Sequence, residues 1–184
     1  MRIILFIFFF LFNNFANASI ISQIINNFDS TENMKFNFVQ KIDGKVEKGE
    51  CTIVYPKKIF CKYIDFYNKI LVSNGKSLVI NSDKNNQYFR YSLDKTPLNL
   101  ILDKKFIISK IYKLKEDSNF PFYYVFDLDY ENSSIKVFFN KNDLNLMGWE
   151  TKDIYQNTVQ TFISDIQKNI LVDYKIFNIQ NYIN

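Results

Sequence analysis

Between Ser19 and about Asn33 the apolar residues Ile21, Ile24, Ile25 and Phe28 recur at i, i+3, i+4 and i+7, with Ser, Gln, Asn and Asp between them. That period predicts a short amphipathic helix. From Phe36 onward the period falls to two. Phe36, Phe38 and Gln40 alternate with Asn37, Val39 and Lys41, and Asp43-Gly44 supplies a hairpin turn before a second strand from about Lys45 to Tyr55. The chain turns at Pro56-Lys57-Lys58 and returns from Ile59 to about Asp65. A strand near Lys69–Ser73 meets Asn74-Gly75, a pair suited to a type I′ turn, and Ser77–Asn81 runs back. After a polar turn at Asp83–Asn86 comes a strand from Gln87 to Leu93.

The rhythm breaks at DKTPLNLIL. Thr96 fits a helix N-cap and Pro97 the first helical position, so Leu98 to about Asp103 predicts a short helix with Leu98, Ile101 and Leu102 on one face. Strands are then predicted at Ile107–Lys115, Phe122–Asp129, Ser134–Asn140, Leu144–Tyr155 and Thr158–Ile166. The end, Leu171 to about Ile179, reads as an irregular turn into a last strand. Ten or more antiparallel strands with two short helices make a mainly β protein of the α+β kind. Such a sheet has to close, fold into a sandwich or curl around something. Alternation on many strands implies one dry and one wet face, and two short helices do not suffice to cover the dry one.

Composition refines this picture at the N-terminus. Arg2, an apolar run from Ile3 to Phe12, and Ala16-x-Ala18 form a secretory signal pattern, with cleavage expected between Ala18 and Ser19. Residues 1–18 are therefore expected to be removed and 19–184 to form one domain, the alternative being an uncleaved anchor. Ser19 stands where a lipoprotein requires an acylatable Cys, so a free, soluble mature protein is expected. The net charge of +4 is ordinary, and the lysines are scattered without the clustered basic stripe of a nucleic-acid binder. Cys51 and Cys61 lie at equal distance on either side of Pro56 in a chain expected to be exported. A cross-strand disulfide and two buried free thiols both fit.

The chain has no His, which removes the commonest general base and metal ligand. Asp127, Asp129, Glu150 and Asp153 alternate with apolar residues as solvated strand positions do. Neither an enzyme nor a metal or cofactor site is expected.

Phe38-x-Gln40, Asp43-Gly44, Gly49, Pro56, Tyr63, Leu71-Val72-Ser73-Asn74-Gly75-Lys76, the turn before Gln87, Thr96-Pro97-Leu98, and Trp149 followed by Asp153 and Gln156-Asn157 occur in this order at these spacings. Together they resemble the periplasmic outer-membrane lipoprotein carrier family, LolA. The resemblance implies an incomplete, strongly curved antiparallel β-barrel with a helical lid over a hydrophobic cavity. It implies a Gram-negative periplasmic carrier that takes the acyl chains of lipoproteins from an inner-membrane lipoprotein-releasing ABC transporter and passes them to an outer-membrane lipoprotein acceptor. A monomer without nucleic-acid partners is expected.

By the same resemblance the lipid-binding wall comprises Phe38 and the inward parity of the Pro56 hairpin: Cys51, Ile53 and Tyr55 on one strand, Ile59, Cys61 and Tyr63 on the other. The lid presents Phe28, Leu98, Ile101 and Leu102. Each of these residues also has a reading as ordinary core. Two departures stand out. The family usually has Arg where this chain has Tyr55, and that Arg ties the lid to backbone carbonyls; a phenol offers a single donor, so a lid held mainly by apolar contact is expected. Asn74 replaces the family's usual Asp and suits the same turn. The alternative function is another periplasmic lipid- or lipoprotein-binding β-fold protein, a stress sensor or structural β-sandwich, without carrier activity.

Overall fold

The computed structural model describes residues 19–64, 67–82, 87–114, 119–130, 133–153 and 156–183. The expected signal segment and the turn at Asp83–Asn86 lie outside these. Helix α1 (Ile20–Asp29) starts at Ser19, whose Oγ accepts from the Ser22 N–H at 3.2 Å, and it buries Ile24 and Phe28 as the period requires. Ten strands follow in one sheet: β1 (Asn33–Ile42), β2 (Lys45–Val54), β3 (Lys58–Tyr63), β4 (Ile70–Asn74), β5 (Ser77–Ser82), β6 (Gln87–Ser92), β7 (Tyr123–Tyr130), β8 (Ser133–Asn140), β9 (Leu146–Lys152) and β10 (Thr158–Lys168). Between β6 and β7 lie the single-turn helix α2 (Leu98–Ile101) and α3 (Lys104–Ile111).

The strand order is β6-β5-β4-β3-β2-β1-β10-β9-β8-β7, with every adjacent pair antiparallel. The edge strands β6 and β7 do not pair with each other, so the barrel is incomplete. Its curl follows from which residues meet. Tyr63 and Leu78 from one half of the sheet and Phe126 and Val137 from the other belong to a single buried cluster. Two irregularities help to bend it. The β1–β10 register shifts between Lys35 and Asn37, opposite the positive-φ residue Asp165, and the β8–β9 register shifts between Phe138 and Phe139.

The turns follow local chemistry. Asp43 and Gly44 both take positive φ, 46° and 73°, the type I′ requirement. At the β4–β5 hairpin only Gly75 does, at 98°. Asn74 stays in β4 and its Oδ1 accepts from the Lys76 and Ser77 N–H groups, so the expected type I′ turn on Asn74-Gly75 is replaced by a loop of Gly75 and Lys76 closed by a side chain.

Two further expectations are corrected. The segment predicted as a strand at Ile107–Lys115 begins as helix: Asp103 Oδ1 caps α3 by accepting from the Phe106 N–H at 3.0 Å, and Ile107 and Ile111, four residues apart, are fully buried. The last predicted strand is absent among the described residues. Tyr174–Phe177 and Ile179–Tyr182 are 3-10 turns, the second covering the outer face of β4 and β5, where Ile179 packs with Val72 and Val79. Thr96 also differs from expectation. Its hydroxyl donates to the Leu93 carbonyl at 2.8 Å and does not cap α2.

Candidate functional site

The concave face of the sheet is built by strand alternation. On β2 and β3 the residues opposite one another are Gly49 and Tyr63, Cys51 and Cys61, Ile53 and Ile59. All except Gly49 belong to the central apolar cluster, with Met34, Phe36 and Phe38 of β1 beside them. The other half contributes Phe126, Ile135, Val137, Phe139, Trp149 and Ile163. Gly49 is required where it stands. A Cβ there would lie 2.3 Å from the Lys62 carbonyl oxygen and 2.7 Å from Cε1 of Phe38, so its absence lets the Phe38 ring lie across β2 and meet Tyr63 edge-on, centroids 5.0 Å apart. Cys51 and Cys61 are joined by a disulfide, which settles the alternative left by the sequence and ties two wall strands together.

The three helices close this concavity. Phe28 of α1 reaches the wall on both sides, edge-on to Tyr55 and to Phe139 at 5.6 Å each. Ile101 and Leu102 are completely buried in the same cluster, as are Ile107 and Ile111 of α3. Of the eleven residues singled out from the sequence, Phe28, Phe38, Cys51, Ile53, Ile59, Cys61, Tyr63, Ile101 and Leu102 are members of the cluster. Tyr55 and Leu98 are partly exposed and pack against it. The structure thus brings nine of the eleven into one interior and sets Tyr55 and Leu98 against it. Sequence reasoning missed Leu100, Ile107 and Ile111 on the lid and the whole far wall from Phe126 to Ile163. The far-wall residues alternate visibly along their strands, and the four-residue spacing of Ile107 and Ile111 was the available signal for α3.

The lid is tied down beside Tyr55. The Lys57 N–H donates to the Leu102 carbonyl at 3.0 Å, and Lys57 Nζ lies 3.6 Å from Asp103 Oδ2. Lys104 Nζ donates to the carbonyls of Asp29 and Thr31, clamping the start of α3 to the end of α1, where a cation is favoured by the unpaired carbonyls. Tyr55 itself gives no such tie. Its Oη is buried and without a hydrogen-bond partner, and burial pushes its pKa above the ordinary tyrosine value. Beside Tyr55 the lid thus has polar ties through Lys57 and Lys104, together with the apolar contacts of Ile101, Leu102, Ile107 and Ile111.

The end of the interior away from the lid is polar. Gln40 Nε2 donates to Thr161 Oγ1 at 2.9 Å, and Glu47 pairs with Lys69, whose Nζ sits 3.9 Å from the centroid of the Tyr63 ring. The candidate carboxylates lie outside the interior cluster. Glu150 accepts from Gln160 at 2.8 Å and faces Lys136 at 3.5 Å, Asp127 is exposed, and Asp153 accepts from Asn157. Among the described residues no group of three or more His, Cys, Asp or Glu is placed to hold a metal ion.

The fold matches solved structures at low sequence identity. An uncharacterised conserved protein from Thermus thermophilus superposes with a TM-score of 0.52 at 8% identity, covering 85% of this chain and 90% of that one. A putative outer membrane lipoprotein-sorting protein domain from Vibrio parahaemolyticus gives 0.51 at 9%, covering 88% and 96%. A LolA superfamily protein from Nitrosomonas europaea gives 0.45 at 12%, covering 88% and 98%. No curated protein matches the sequence. The family model described as outer membrane lipoprotein carrier protein LolA matches residues 29–180, and with this match over most of its length the chain belongs to the LolA family.

Proposed function

We propose that this protein is a periplasmic lipoprotein carrier, which holds the acyl chains of lipoproteins between the curved sheet and the helical lid and hands them to an outer-membrane acceptor. The observation that carries the reading is that lid and wall share one apolar interior, in which Phe28, Ile101, Leu102 and Ile107 occupy the space acyl chains would take. An inner-membrane lipoprotein-releasing transporter is the proposed donor. The cargo undergoes no chemistry, and the protein acts as a monomer.

The energetics favour exchange over permanent capture. Each acyl methylene moved out of water contributes about 0.8 kcal/mol, so several chains would bind almost irreversibly to an open rigid cavity. Here they first displace lid side chains that are themselves buried. Net affinity is then the difference between two similar burials, and a modestly better acceptor reverses it. The lid is suited to give way, since α2 is one turn and α3 eight residues long, both short for helices that stand on their own.

The test is release from spheroplasts carrying a newly acylated outer-membrane lipoprotein. Added protein should bring the lipoprotein into the soluble fraction as a complex. Leu98→Arg, at the half-buried edge of the lid, should abolish this while leaving the fold intact by circular dichroism. No release by the unmodified protein would overturn the proposal.

A further inference from the structure

The orphaned hydroxyl of Tyr55 is the one buried polar donor on the apolar wall that the fold leaves unused among the described residues. Its Oη is shielded from solvent and makes no hydrogen bond, although leaving a buried hydroxyl unpaired is unfavourable. The ring is held in place, edge-on to Phe28 at 5.6 Å on one side and with Lys104 Nζ 5.7 Å from its centroid on another. A donor fixed in this way, with no acceptor in the free protein, is suited to an acceptor that arrives with a ligand.

Its position indicates which acceptor. Tyr55 packs against the apolar interior, and it also lines a cleft of about 570 Å³ at the mouth, bordered by Lys57, Asp103, Lys104 and Lys105. It therefore stands where the surroundings change from hydrocarbon-like to charged. A molecule with its tails inside and its polar head outside places its linking group here. In an acylated glyceryl group that linkage is a carboxylic ester, whose carbonyl accepts hydrogen bonds and has no proton to give. A phenol supplies one O–H donor, which an ester carbonyl can accept.

Building on the carrier reading, we infer that Tyr55 Oη donates to an ester carbonyl of the bound acyl glyceryl group and makes the site selective for ester-linked over ether-linked chains. The hydrogen bond forms only in the loaded protein. Tyr55 is thus a specificity-determining contact as well as part of the wall.

The experiment uses two synthetic lipopeptides of one sequence, one carrying a dipalmitoylglyceryl group and the other its dihexadecyl diether counterpart. Binding is followed by the emission of Trp149, the sole tryptophan, which is buried in the interior. The wild-type protein should bind the diester about tenfold more tightly than the diether. Tyr55→Phe should lose that preference by weakening diester binding alone, and its thermal midpoint should be no lower than wild type because an unpaired hydroxyl has gone. Tyr55→Leu, which also lacks the donor, should show the same loss of preference. An unchanged preference in Tyr55→Phe, or equal weakening of both ligands, would overturn the inference while leaving the carrier reading standing. Binding of neither lipopeptide by the wild-type protein would overturn both.

Discussion

At the scale of single residues, the interior depends on a few positions whose roles differ in kind. Gly49 contributes by having no side chain, so that the Phe38 ring lies across β2. Tyr55 contributes a buried hydroxyl that makes no hydrogen bond. Burial raises its pKa above the ordinary tyrosine value near 10. Below that value the phenol is neutral in both states. As pH rises beyond it, the unfolded chain releases the proton while the folded protein retains it, so unfolding becomes progressively more favourable. The wild-type protein should therefore lose stability between pH 10 and 11.5 more steeply than Tyr55→Phe, by about 1.4 kcal/mol per pH unit. Urea unfolding of both proteins at stepped pH measures this directly. Parallel slopes would show that the hydroxyl reaches solvent.

At the scale of elements, the lid is secured from its ends more than from its middle. Asp103 does two things there: it caps α3 through the Phe106 N–H, and it faces Lys57 on the Pro56 turn. Asp103→Ala should cost α3 about 1 kcal/mol from the lost cap, the ion pair being exposed enough to add little. Hydrogen exchange should then quicken at Ile107 and Ile111 while β2 and β3 keep their protection. Equal quickening across sheet and lid would mean that the lid is not an independent unit.

Elements are also where legibility from sequence divides. The hairpin walls were readable because alternation and turn residues are local signals; alternation grouped six residues around Pro56 on one face, and the family resemblance gave that face as the inward one, where five are buried in the cluster and Tyr55 packs against it. α1 was readable from its four apolar positions. α3 was not, because Phe106, Ile107 and Ile108 are residues that favour strands in isolation. The helix is decided by the Asp103 cap and by burial of Ile107 and Ile111 against the sheet, and only the second is a tertiary effect. The C-terminal turns were misread for a related reason. Phe177 and Ile179 supply strand-like apolar spacing, whereas Asp173 and Asn178 each accept from the backbone N–H two residues on and bend the chain. The disulfide needed the register that opposes Cys51 and Cys61, which equal spacing from Pro56 suggested but did not fix.

At the scale of the whole molecule, the proposed function gives the open sheet and the short helices two ways of burying one face. The lid side chains cover it in the free protein, and acyl chains would cover it in the loaded one. The polar pairs Gln40 with Thr161 and Glu47 with Lys69 mark the far limit of the apolar space, while the lysines near Tyr55 mark its mouth. The central claim is that this interior takes acyl chains, and native mass spectrometry tests it most directly. The protein is mixed with a diacylated lipopeptide and, separately, with the same peptide lacking its acyl groups. The account predicts a one-to-one complex with the acylated peptide only, lost in Leu98→Arg. Retention of both peptides equally, or of neither, would contradict it.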